Sequence, residues 1–237
     1  MAFTHLHVHS HYSLLDGLSK VEEIVDKCVA TGMKSVALTD HGNMYGIKEL
    51  LDYCKKKEGF KPIVGVEAYC ARRGRHSRLE DKAVSPEGRT YYIDRSGWHL
   101  ILLAKNLTGY HNLCRIVSQG YMSDAYYYTP RIDRELLEKY HEGIICSSAC
   151  LGGELPQKIM EGIANNSDFR AAEETIEWFK GIFGEDYYIE LQRHETQKPG
   201  ADVEVYERQK QVNPILIELA RKHGVKVIAT NDIGHHS

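Results

Sequence analysis

Val36-Ala37-Leu38-Thr39-Asp40-His41-Gly42 is a short apolar run that ends in two metal-competent side chains and a glycine. It reads as a buried strand whose carboxyl end carries chemistry. Upstream, Val21, Ile24, Val25, Cys28 and Val29 recur at helical spacing behind a capping box, Ser19-Lys20-Val21-Glu22, and Gly32 ends that helix. Downstream, a second helix is expected from Asn43, with Ile47, Leu50, Leu51 and Cys54 on one face. Strand candidates recur at 62–69, 98–104, 143–148, 186–191 and 225–230. Helical stretches fall around 108–122, 133–140, 152–163, 168–182 and 205–223, the last expected to bend at Pro214. With the N-terminal histidine run included, seven strands alternate with helices, a rhythm that predicts parallel pairing in a doubly wound sheet or a barrel. Polar stretches at 71–96 (a long loop or hairpin) and 193–204 interrupt it.

At 42% hydrophobic and 27% charged residues, the 237-residue chain can bury a large core. A net charge of −3 gives no global pull toward polyanions, so any phosphate site must be local. No membrane span or signal segment is visible, which predicts a cytosolic protein. The six cysteines contain no Cys-x-x-Cys pair and read as reduced thiols unless one is a ligand.

His5-Leu6-His7-Val8-His9-Ser10-His11 sets four imidazoles at alternate positions, on one face of an extended chain. Neutral imidazole is a common ligand for divalent metals. In parallel α/β folds, ligands gather at the carboxyl ends of strands. Those ends carry His7 and His9, then Asp40 and His41, then Glu67, then Cys146 and Cys150, then Asp232. The mixture of nitrogen, oxygen and sulfur donors suits zinc, manganese or iron, and it exceeds the roughly four ligands one zinc takes. Clustered cations suit hydrolysis of phosphate esters.

Beyond those spacings, His5-Leu-His7-Val-His9-Ser, Tyr12-Ser-Leu-Leu-Asp16-Gly17, Leu38-Thr-Asp-His41-Gly and Gly65-Val-Glu67-Ala-Tyr resemble the PHP (polymerase and histidinol phosphatase) family. Trp98 through Tyr110, Tyr128 through Asp133, Cys150-Leu-Gly-Gly-Glu154 and Ala229-Thr-Asn-Asp232 are similar to the form that opens bacterial replicative DNA polymerase III alpha subunits. The resemblance implies a distorted (β/α)7 TIM-like barrel over residues 1–233, with 234–237 a tag remnant. It implies ligands at His7, His9, Asp16, His41, Glu67, His99, Cys150 and Asp232. A ninth family ligand, a histidine, falls on Gly234, with His235 a one-residue shift away.

Two or three divalent ions are implied. One is held by His7, His9, Glu67 and Asp232, a second by Asp16 and His41, and a third by Glu67, His99 and Cys150. Members with the full set resemble 3′–5′ exonucleases acting on the primer 3′ end. Members lacking ligands serve as a platform for the rest of the alpha subunit and a proofreading subunit; a free-standing phosphomonoesterase is the remaining alternative. Asp40 is expected to orient an imidazole and Arg131 to clamp the scissile phosphate, with Arg72, Arg73 and Arg75 as further phosphate contacts. Tyr126, Tyr127 and Tyr128 are expected to pack, Cys146 to lie in the core, and Glu154 and Glu190, which could be metal-adjacent, to be caps or surface pairs instead. His99 rests on the resemblance alone, because it starts its strand and a parallel barrel puts that end far from the site.

Overall fold

The computed structural model describes residues 3–79, 82–84, 88, 90–92, 97–195 and 203–231. In chain order its elements are α1 (Val21–Ala30), β1 (Ser35–Leu38), α2 (Ile47–Cys54), β2 (Lys61–Cys70), β3 (Lys82–Val84), β4 (Thr90–Tyr92) and β5 (Trp98–Ala104). They continue with α3 (Leu107–Gly120), β6 (Arg131–Ile132), α4 (Arg134–Tyr140), β7 (Ile144–Ser147), α5 (Glu154–Asn165) and α6 (Arg170–Phe183). A 3-10 turn (Gly184–Asp186), β8 (Tyr187–Gln192), α7 (Glu204–His223) and β9 (Lys226–Thr230) complete the set. No described helix is long and apolar enough to cross a membrane.

The main sheet runs β1-β2-β5-β7-β8-β9, with β6 beside β2. Among the described residues the N-terminal segment joins β1 through a parallel bridge, His5 to Val36. Uniform parallel pairing does not hold, because β5 runs antiparallel to both β2 and β7. The physical reason lies in the connection. Among the described residues of 71–97 there is no crossover helix but the antiparallel pair β3–β4, and the chain turns back beside β2. Two helix starts also differ. The α1 cap is Lys20, whose backbone N–H donates to Glu23 Oε2 (2.9 Å), one residue later than the expected box. Asn43 does not open a helix; its Oδ1 accepts from Tyr45 N (3.1 Å) in a turn, and α2 begins at Ile47.

Side chains alternate across the sheet as a pleated strand requires. Val66, Ala68 and Cys70 of β2 and Leu100 and Leu102 of β5 face the helices in the largest core cluster. Ala37, Ile101 and Leu103 pack on the other face with Ile63 and Ile145. Glu67 and Tyr69 share the parity of Ile63, and His99 shares that of Ile101 and Leu103. The inner face is therefore apolar at one end and polar at the other. Gly65 lets that lining close up, since a Cβ there would sit 2.5 Å from Leu103 Cδ2. The sheet curls: His7, ahead of β1, meets Glu190 of β8 at 2.8 Å. Among the described residues no backbone pairing joins the N-terminal segment to β9, so the described sheet is a curled open one.

Candidate metal centre

Glu67 sits on the inner face of β2 with no solvent exposure and is the hub of the site. Its Oε2 lies 3.3 Å from His7 Nε2, 2.9 Å from His9 Nε2 and 2.9 Å from His41 Nδ1. Its Oε1 lies 2.9 Å from His99 Nδ1 and 3.8 Å from Cys150 Sγ. His41 Nε2 meets Asp16 Oδ2 at 3.1 Å, and Cys150 Sγ is 3.5 Å from His99 Nδ1. Among the described residues three groups have the ligand spacing of a metal site: His7 with His9 and Glu67; His9 with Asp16 and His41; His41 with Glu67 and His99. The antiparallel course of β5 explains His99. Its start lies at the carboxyl end of β2, opposite Tyr69.

The donor set fits cations better than it fits itself. Glu67 Oε2 and His41 Nδ1 are buried and close, yet neither makes a hydrogen bond of acceptable angle among the described residues. Imidazole nitrogens gathered around a shared, buried carboxylate are the donors a metal site would draw on. With protons in place of metal, the cluster is charge-paired. Burial pulls the His41 imidazole down, but the Asp16 and Glu67 carboxylates override it and push it up to about 10. His7 is likewise driven well above its ordinary value by Glu67 and Glu190 against the pull of burial. Burial favours a protonated Glu67, but His99 and His7 hold the carboxyl well below its usual range.

The hydrogen-bond partners behind the site fix the tautomers. Ser13 Oγ donates its one proton to Asp40 Oδ1 (2.7 Å) and accepts from His41 N (3.0 Å). It must therefore also accept from His9 Nδ1 (3.0 Å), which puts a proton on Nδ1 and makes Nε2 the nitrogen turned to Glu67. Asp40 also accepts from Ser10 N (2.7 Å) and Ser10 Oγ (2.8 Å), so it acts on the imidazoles through Ser13 rather than directly. The loop can fold this tightly because position 17 is glycine, where a Cβ would lie 1.9 Å from Ser10 O. Glu190 accepts from His7 Nδ1 (2.8 Å), Ser147 Oγ (2.5 Å), Gln192 Nε2 (3.1 Å) and Thr230 Oγ1. Burial raises its carboxyl's proton affinity, but His7, with the Ser147 and Thr230 hydroxyls, holds it below its usual range. Glu190 is thus a buried partner of a ligand, not a cap or surface pair. Its inward parity with Gln192 on β8 was the available signal.

Other expectations change. The histidine run is not one continuous strand: it bends at His7 and gives way to turns from His11. His7 and His9 reach Glu67, whereas His5 packs on Phe3 and His11 on Tyr12, and among the described residues neither belongs to a ligand group. Arg131 is fully buried; it donates to the carbonyls of Arg75 (3.0 Å) and Ser77 (2.6 Å) and lies over the Tyr127 ring, so it braces the 72–79 segment instead of reaching a phosphate. Arg75 is committed to Asp133 (2.8 Å) and Glu135 (3.2 Å), and Arg72 lies over Trp98. Arg73 is exposed and donates to Leu79 O (3.3 Å). Glu154 is buried at the start of α5 against Arg134, and Cys146 lies in the core. Tyr127 packs beneath Arg78 and Arg131, but Tyr126 and Tyr128 are exposed. Asp232, Gly234 and His235 lie outside the described residues.

A curled α/β sheet with an inner cluster of imidazole and carboxylate groups beside a cysteine thiol defines a domain whose donor set suits divalent cations. The chain belongs to the PHP domain family, whose model matches residues 5–194. It is 43% identical over 230 residues to DNA polymerase III subunit alpha of Borreliella burgdorferi and 44% identical over 234 residues to that of Treponema pallidum. These matches cover 97% and 98% of this chain and 18% of each relative, so the chain spans less than a fifth of their length. Among solved structures, an amidohydrolase from Chromobacterium violaceum aligns with 98% of this chain and 87% of its own, at 16% identity and a TM-score of 0.47.

Proposed function

We propose that this chain is a metal-dependent phosphodiesterase module that removes nucleotides from the 3′ end of DNA as part of a bacterial replicative polymerase alpha subunit. The observation that carries the reading is the overlap of three ligand groups, two of them through Glu67. Such overlap keeps cations close together, the arrangement used for in-line displacement at phosphorus. When bound, the cations supply an acidified water and charge stabilisation at the departing 3′ oxygen. His7, His9, Asp16, His41, Glu67, His99 and Cys150 are the residues that would hold them, with Asp232 the expected further carboxylate. Zinc, manganese and iron all suit these donors. Glu190 keeps His7 in the tautomer that presents Nε2, and Asp40 does the same for His9 through Ser13. Closure of the sheet into a seven-stranded barrel would follow if the N-terminal segment meets β9; the approach of His7 to Glu190 supports it.

The test uses a single-stranded oligonucleotide labelled at its 5′ end, beside a small phosphomonoester. Stepwise shortening from the 3′ end is expected with manganese or zinc, abolished by EDTA and by His41→Ala. Full metal occupancy without nucleotide release would refute the reading in favour of a structural platform for the polymerase and its proofreading subunit. Preference for the monoester would refute it in favour of a phosphatase.

A further inference from the structure

A chain of tyrosine rings leaves the metal centre and runs out onto the surface. Tyr69 stacks on His41 (centroids 5.8 Å apart, planes 16°) and meets His99 edge-on at 5.5 Å. Pro130 packs between Tyr69 and the next ring: a Cβ on Gly42 would meet Tyr69 Cε2 at 3.1 Å and Pro130 Cγ at 2.7 Å, and one on Gly120, beside Tyr121, would meet the Pro130 carbonyl carbon at 3.3 Å. The Tyr121 ring lies 6.2 Å from that of Tyr45 and 6.1 Å from that of Tyr126. Tyr45, Tyr121 and Tyr126 are 63%, 39% and 46% exposed, more than core packing requires.

We propose that Tyr69, Tyr121, Tyr45 and Tyr126 form a base-stacking strip that guides an unpaired nucleotide strand into the metal centre; its occupant follows from the phosphodiesterase reading. The strip starts on two ligand rings, so a strand whose terminal phosphate sits at the cations has its next bases over these tyrosines. The ring-to-ring step is close to the phosphate-to-phosphate step of an extended single strand. Aromatic faces stack on any base, which suits an activity indifferent to sequence. Exposed Arg78 donates to Asp124 O (2.8 Å), two residues before Tyr126, and puts a cation at the outer end of the strip where phosphates would pass.

The test is binding of the 237-residue chain to a fluorescein-labelled oligothymidylate in EDTA, read by anisotropy. Tyr45→Ala and Tyr126→Ala should each weaken binding roughly tenfold, since stacking on one ring contributes ~1–3 kcal/mol and ~1.4 kcal/mol is tenfold. The matching Phe variants keep the ring face and should bind within about twofold of wild type, on the same stacking principle. Unchanged affinity in the double alanine variant, with its melting temperature intact, would overturn the strip and assign these rings to protein docking; so would absence of binding by the wild-type chain. Because EDTA removes hydrolysis, failure here leaves the nuclease assay standing. Ring-dependent binding without metal-dependent nucleotide release would sink the phosphodiesterase reading and keep the strip.

Discussion

Replacing Glu67 with glutamine keeps the shape of the side chain and removes the charge of a carboxylate with no solvent exposure. In the metal-free protein, imidazole nitrogens of His9, His41 and His99 lie 2.9 Å from its oxygens. At that separation a unit charge pair is worth about 6 kcal/mol at an effective dielectric of about 20. Desolvation offsets much of this, and breaking one partner of a buried pair costs ~3–5 kcal/mol. Urea denaturation of metal-free Glu67→Gln should therefore show a loss of about that size. The metal readout discriminates further. Glu67 belongs to two of the three ligand groups and Asp16 to one. Elemental analysis should find that Glu67→Gln loses the ions of both groups containing it, while Asp16→Asn loses only the ion shared with His9 and His41. A Glu67→Gln chain with wild-type metal content and urea midpoint would refute the bridging role outright.

Glu190→Gln should weaken metal binding ~10–100-fold by freeing the His7 tautomer, with little change in the circular dichroism spectrum; a competition titration against a chelator measures it. Arg131→Met should lower the urea midpoint by the equivalent of ~2–4 kcal/mol, because two backbone carbonyls of the 72–79 segment lose a charged donor, while metal content stays unchanged. The pH response should reverse sign with metal. Without it, the pairing of His41 is fully present below its ordinary value of 6.5 and is lost as pH rises through about 10. The Glu67 share is present above its ordinary value of 4.5 and is lost as pH falls through its depressed one. Metal binding needs neutral imidazoles and improves with pH. Thermal melts should thus show the EDTA-treated chain weakening from pH 6 to pH 9 while the gain on adding manganese grows; a gain that shrinks would contradict the assignment.

Local patterns carried the elements well. Val21, Ile24, Val25 and Cys28 lie buried on α1, and the apolar run of β5 spans Trp98–Ala104 as expected. The direction of β5 was not legible, because the strand's residues fit either orientation once both faces are covered. Only the lack of a helical pattern in the polar stretch 71–96 could have shown that the chain returns beside β2. That one reversal decides the chemistry. Had β5 run parallel to β2, its register would put Ala104, not His99, at the ligand end, and Glu67 Oε1 would lack its imidazole. The misread arginines share a different cause. Arg75 and Arg131 look like phosphate contacts in a list of charges, but burial turns each toward a carboxylate or carbonyls supplied by distant segments. Glu190 is the converse case, ordinary in sequence and decisive in place, because the curl of the sheet brings β8 behind His7. Ligands that touch a cation have motif-like spacing, whereas the groups that set their tautomers come from whichever strand the curl delivers. Second-rank partners such as Glu190 and Ser13 are therefore legible only once the sheet's direction and curvature are known.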